Sequence, residues 1–169
     1  LIVVGEWTPV SFWIQNDGKL ENKTDEYFDT PITGWWNCIE KADLDDNGFD
    51  DYIIGNLGQN YKYKASLERP FTVFAKDFDQ SGSCDIVLGA YYGDVMYPLR
   101  GRSCSSEQIP GIKKKFPTFE EYAKADIKKV YGEELNDAVK YEANQFASII
   151  LYQDEAGKYS VNLLPNEAQ

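Results

Sequence analysis

Asp43-Leu-Asp-Asp-Asn-Gly-Phe-Asp-Asp-Tyr-Ile-Ile-Gly-Asn56 and Asp77-Phe-Asp-Gln-Ser-Gly-Ser-Cys-Asp-Ile-Val-Leu-Gly-Ala90 are two copies of one pattern, beginning 34 residues apart. Each reads Asp-x-Asp-x-(Asn/Ser)-Gly-x-x-Asp, then three apolar residues and a glycine. At this spacing the side-chain oxygens of positions 1, 3 and 5 converge on one point. The glycine at position 6 permits the sharp turn, position 7 offers its carbonyl and position 9 closes the shell. The candidate ligands are Asp43, Asp45, Asn47, the carbonyl of Phe49 and Asp51 in the first loop. In the second they are Asp77, Asp79, Ser81, the carbonyl of Ser83 and Asp85.

Such a shell suits a hard cation, and Ca2+ better than Mg2+, which usually keeps several waters. An EF-hand would place a bidentate glutamate at position 12, where this chain has Ile54 and Leu88. The loops therefore lead into strands. Ser81 is a weaker, neutral ligand at a key position, so an Asp- and Gly-rich turn without an ion is a stronger alternative for the second loop than for the first.

The 169 residues carry 28 acidic and 17 basic side chains, a formal charge of −11, and no histidine. Histidine-dependent nucleophilic catalysis and His-Glu-x-x-His zinc chemistry are thereby excluded. The acidic balance repels phosphate backbones, and Lys113-Lys114-Lys115 is too short to offset it, so nucleic acid is not an expected partner. Asp43, Asp45, Asp46, Asp50 and Asp51 repel one another within nine residues unless a cation is present or they fan into water. Leu1-Ile2-Val3-Val4 and Ile149-Ile150-Leu151 fall far short of the roughly 20 apolar residues that span a bilayer. Leu1 opens within a strand-like run, which suggests a segment excised or processed from a longer protein. Cys38, Cys84 and Cys104 read as buried small apolar residues, with a Cys84–Cys104 bridge as the other possibility.

Periodicity predicts strands over 1–7, 9–15, 35–42, 51–55, 71–76, 86–92, 147–152 and 159–164. Asn16-Asp17-Gly18-Lys19 and Asp154-Glu155-Ala156-Gly157-Lys158 read as hairpin turns. Thr118 with Glu121 forms a capping-box signature ahead of Phe119, Tyr122, Ala123, Ile127 and Val130, a helical stripe that Gly132 can end. A second helix is expected over 133–146.

The two loops, each leading into a strand that ends in glycine, resemble the calcium loops of FG-GAP/VCBS repeats, which build integrin-α-like β-propellers. Gly5-Glu6-Trp7-Thr8-Pro9, Gly34-Trp35-Trp36-Asn37, Gly55-Asn56-Leu57-Gly58-Gln59-Asn60 and Leu164-Pro165-Asn166-Glu167-Ala168-Gln169 are similar to bacterial secreted or surface-anchored members. The Phe-Gly and Gly-Ala-Pro signature is absent. The resemblance implies a mainly β chain forming a partial β-propeller, two to three blades of antiparallel strands with a two-helix insertion. Residues 1–169 would then be one segment of a larger propeller, with blade strands in 1–100 and 147–169 and the helical insertion in 105–146. A whole propeller needs about seven blades of roughly 40 to 60 residues. The 34-residue spacing is short for a blade, so the second loop could belong to a hairpin in the same blade as the first.

The expected function is that of a non-enzymatic, calcium-stabilised segment of an extracellular or cell-surface protein, presenting a surface to a protein or glycan partner. Open blade edges would also permit self-association. One alternative is a carbohydrate-active enzyme using carboxylates such as Glu6 or Glu40, with Trp7, Trp13, Trp35 and Trp36 as sugar platforms. Another is a structural spacer.

Overall fold

In the computed structural model, which describes residues 1–28 and 31–169, the chain is mainly β, built from antiparallel sheets without a closed barrel. It divides into two compact units, Leu1–Leu67 with Ala143–Gln169, and Glu68–Glu142. The first contains β1 (Ile2–Val3), β2 (Glu6–Pro9), β3 (Ser11–Asn16), β4 (Lys19–Asn22), β5 (Thr33–Trp35), β6 (Cys38–Ala42) and β7 (Asp51–Gly55). The second holds β8 (Phe71–Lys76), β9 (Asp85–Tyr92) and β10 (Val95–Pro98). It continues through α1 (Arg102–Gln108), α2 (Gly111–Lys115), α3 (Phe119–Ala123) and α4 (Ile127–Tyr131) to β11 (Val139–Ala143), which reaches the unit boundary. β12 (Ile149–Gln153) and β13 (Tyr159–Leu163) return to the first unit.

The first unit is organised around a four-stranded antiparallel sheet in the order β13-β12-β7-β6. Its central strands meet at Ile149–Ile54 and Leu151–Tyr52, and the wholly buried Ile54, Ile149 and Leu151 share one core with Val10, Phe12, Phe28 and Trp36. Burial of each such aliphatic side chain contributes about 1.5–3 kcal/mol. The residues between β7 and β12 include the whole second unit, so this sheet is completed by strands that close over a long insertion.

A polar hub holds that closure. The Asn56 side chain accepts the N–H groups of Trp35 (3.0 Å) and Leu57 (2.8 Å) and donates to the carbonyls of Gln145 (2.8 Å) and Ala147 (3.3 Å). Its own N–H donates to Ser148 Oγ at 3.2 Å. Residues from both sides of the insertion are thus joined at one buried amide. Gly34 lies against it, and a Cβ there would meet Asn56 Nδ2 at 2.6 Å and the Gln145 carbonyl at 2.8 Å.

The second unit has a four-stranded sheet in the order β10-β9-β8-β11, with Phe74 and Val87 packed against Ile127 and Leu135. Ile109, Ile112, Tyr122, Ala125 and Val130 form a separate helical core. The glycine that closes each copy of the sequence pattern has a packing cause. A Cβ on Gly55 would lie 2.5 Å from Cys38 Sγ, and one on Gly89 would lie 2.6 Å from Met96 Sδ and 3.0 Å from Ile127 Cδ1.

Several expectations need correction. The stripe from Thr118 to Gly132 is two helices: the Thr118–Glu121 capping box starts α3, but Asp126 then accepts the N–H of Lys129 and caps α4 separately. A side-chain acceptor in extended conformation competes with helix continuation. Residues 133–146 do not form a helix; a 3-10 turn over Gly132–Asp137 leads into β11, whose Val-Lys-Tyr-Glu-Ala alternates at the strand period beside β8. The helical region therefore contains four short α-helices from Arg102 rather than two, and it ends before β11. The two acidic loops occupy different sheets, not one blade. All three cysteines are exposed and free, so neither burial nor a Cys84–Cys104 bridge holds.

Both predicted hairpin turns are present: Asp17 and Gly18 take φ of +47° and +78° between β3 and β4, and Gly157 takes +76° between β12 and β13. Among the described residues, no helix is long and apolar enough to cross a membrane.

Asn56→Ala should lower unfolding stability by about 3 kcal/mol, because two part-buried N–H groups lose this acceptor and two carbonyls this donor. Urea denaturation with an unchanged m-value would measure it. A loss below about 0.5 kcal/mol would mean that the hub does not hold the closure.

Candidate metal centres

Each acidic loop connects the strands of an antiparallel hairpin, and the two hairpins share one register. Ala42 pairs with Asp51 and Cys38 with Gly55 in the first; Lys76 pairs with Asp85 and Thr72 with Gly89 in the second. Their backbones repeat as well. Asp46 and Gln80, at position 4, take φ of +58° and +59°, and Gly48 and Gly82 take +85° and +88°. This left-handed pair at positions 4 and 6 makes the turn, with glycine at the second because a Cβ there is strained.

The internal hydrogen bonds correspond at positions 1, 5 and 9, and in the second loop Ser81 N–H also donates to Asp79 Oδ1 at 3.1 Å. Asp43 accepts from the N–H groups of Asn47 (3.1 Å) and Gly48 (2.9 Å), as Asp77 does from Ser81 (2.9 Å) and Gly82 (2.8 Å). Asn47 Oδ1 accepts from Phe49 N–H at 2.8 Å, and Ser81 Oγ from Ser83 N–H at 3.4 Å. Asp51 Oδ2 accepts from Leu44 N–H at 2.8 Å, and Asp85 Oδ2 from Phe78 N–H at 2.9 Å.

The outcome is two carboxylate triads. Asp43, Asp45 and Asp51 each bring a carboxylate oxygen within 4.8 Å of the others, and so do Asp77, Asp79 and Asp85. Either triad could hold a metal ion. Asn47 and Ser81 sit at the same loops with their oxygens turned to the N–H two residues on, while Phe49 and Ser83 enter those contacts through their N–H groups.

Their electrostatics are unusual in one respect. Asp51 is 0% exposed and Asp85 2% exposed, yet among the described residues neither forms an ion pair with lysine or arginine. The lysines beside the loops are engaged elsewhere: Lys41 with Asp50 at 3.0 Å, and Lys76 with Glu134 and, at 3.9 Å, Asp137. A buried carboxylate costs several kcal/mol unless charge or hydrogen bonds compensate.

No family model, curated protein or solved structure matches this chain.

The first loop has an additional partner that its sequence does not announce. Gln153, at the end of β12, donates its N–H to Asp51 Oδ1 at 2.9 Å and accepts from Asn47 Nδ2 at 3.0 Å. It lies 102 residues beyond Asp51, and no local motif marks it. Of the alternative catalytic and sugar-binding residues, Glu6 pairs with Trp35 across β2 and β5. Glu6 and Glu40 are exposed on β2 and β6. Trp36 is buried at 2% exposure, and the Trp7 ring packs edge-on against Trp35 at 5.2 Å.

The N–H groups of Gly82 and Ser81 hold the Asp77 carboxyl below the usual aspartate range, chiefly through the Gly82 bond. The folded value is depressed. Its stabilising contribution is present above the unfolded value, near pH 4, and is lost as pH falls through the folded value. Carboxyl NMR titration should show Asp77 protonating at lower pH than the ordinary aspartate value. A normal or raised midpoint would contradict these bonds.

Proposed function

We propose that the chain is a non-enzymatic, calcium-stabilised module of an extracellular or cell-surface protein, which presents a binding surface to a protein or glycan. The observation that carries this is the pair of buried carboxylates, Asp51 and Asp85, each without a cationic partner among the described residues and each converging with two further carboxylates. A divalent ion supplies the missing charge. All-oxygen donors from flexible loops suit Ca2+ rather than zinc or copper.

The ligands would be Asp43, Asp45, Asn47, the Phe49 carbonyl and Asp51 at the first site, and Asp77, Asp79, Ser81, the Ser83 carbonyl and Asp85 at the second. Two divalent ions would reduce the formal charge from −11 to about −7. Closed shells of this kind are structural, because they leave no position for a substrate, and millimolar extracellular calcium saturates even weak ones.

The antiparallel order β6-β7-β12-β13 supports a blade reading of the FG-GAP/VCBS kind, since a propeller blade is a four-stranded sheet. The second unit would then be an insertion between the second and third strands of that blade. Fold-level likeness leaves the partner's chemistry to the exposed surface.

Calorimetric titration of the chelated protein with Ca2+ should give saturable binding. At calcium about 100-fold above Kd, the melting temperature should rise by about 5–10 °C. Asp45→Ala should remove the first site and Asp79→Ala the second, while each leaves the other titratable. Absence of both heat and thermal shift would reduce the repeats to acidic turns and overturn the proposal.

A further inference from the structure

The edges of the sheets differ in how they are protected. β4 carries Lys19 and Glu21, β6 carries Glu40 and Lys41, β11 carries Lys140 and Glu142, β10 ends in Pro98, and β2 contains Glu6 and Pro9. β1 and β5 are uncharged but only two and three residues long. Charges, proline and shortness all discourage pairing with another chain. β13, Tyr159-Ser-Val-Asn-Leu163, has none of these protections, in a chain that is 27% charged.

Its backbone is presented for pairing. Asp154 N–H donates to the Lys158 carbonyl and Leu164 N–H to the Ser148 carbonyl, each at about 2.9–3.0 Å, which fixes the even-numbered residues of β13 as those bonded to β12. In an antiparallel ladder the alternate residues then point their N–H and C=O outward. These are Tyr159, Val161 and Leu163, and among the described residues no other backbone group meets them.

The side chains complete the surface. Val161 and Leu163 lie opposite the wholly buried Leu151 and Ile149, yet remain 40% and 52% exposed. Alongside runs a cavity of about 580 Å³ walled by Tyr27, Phe28, Ile32, Tyr159 and Val161, with Asp25, Glu26 and Lys158 also lining it. A strand added at this edge would satisfy the outward backbone groups and carry alternate apolar side chains over that cavity.

We propose that the occupant is β13 of a second copy, antiparallel and centred on Val161. The strand meets the requirements of its own edge: it alternates apolar and polar residues, carries no charge to repel its equivalent, and its outward residues fall in mutual register. Val161 would face Val161 of the second copy, and Tyr159 would face Leu163. All are hydrogen-bonded pairs on one sheet face, in an isologous two-fold contact that continues the sheet from β6 to β6 of the other copy. This contact uses none of the proposed metal ligands, and chelation should leave it intact.

Sedimentation equilibrium of the full chain, with and without EDTA, should show a monomer–dimer equilibrium. Val161→Lys and Val161→Glu should each remain monomeric, and an equimolar mixture of the two should restore the dimer. Val161→Pro removes an outward N–H without breaking a bond to β12, so it should weaken dimerisation by about tenfold at an unchanged melting temperature. A wild type that stays monomeric up to millimolar concentration would overturn the proposal. So would variants that dimerise as the wild type does, or a mixture that fails to recover.

Discussion

Asp51 and Asp85 accept the N–H groups of Leu44 and Phe78, and through these bonds the start of each acidic loop is fastened to the strand that leaves it. The fastening is made by an ionisable group that is almost wholly buried. Neutral asparagine could accept the same N–H without adding a charge to the triad. A carboxylate placed there ties hairpin closure to charge compensation, and with the two remaining carboxylates it forms a triad that could hold a metal ion.

In the first unit this constraint reaches further than the loop. The second oxygen of Asp51 bonds to Gln153, so the group that closes the β6–β7 hairpin also fixes the end of β12. At the opposite end of the same strands, Asn56 gathers Trp35, Gln145, Ala147 and Ser148. Both ends of the β7–β12 ladder are therefore pinned by buried polar groups, with Ile54, Ile149 and Leu151 filling the space between. That arrangement accommodates a unit with cores of its own between β7 and β12, because closure depends on the pinned ends and the apolar ladder rather than on the intervening chain.

Much of the secondary structure was legible because it has local causes. The strands over 51–55 and 71–76 occupy their predicted ranges, bounded by acidic turns on one side and by glycine or proline on the other. The helical stripe after Thr118 was legible as a stripe but not as two helices. Asp126 is favoured at an N-cap but is also tolerated inside a helix, and its extended backbone decides between them. β11 was read as helix because a five-residue strand gains its identity from the neighbour it pairs with, here β8. The cysteines were misplaced for a related reason: their apolar character predicts burial, but Cys38 lies on an edge strand and Cys84 at the mouth of a loop.

The sequence by itself determined the two turns, the left-handed glycines within them, the strands they join and the convergence of alternate aspartates, since all of these follow from spacing over nine residues. The tertiary structure decided which sheet each hairpin enters, that Asp51 and Asp85 are buried without a cationic partner among the described residues, and that Gln153 and Asn56 close the first sheet. Those properties depend on contacts between segments about a hundred residues apart, whose pairing is set by the packing of the completed sheet rather than by any local spacing.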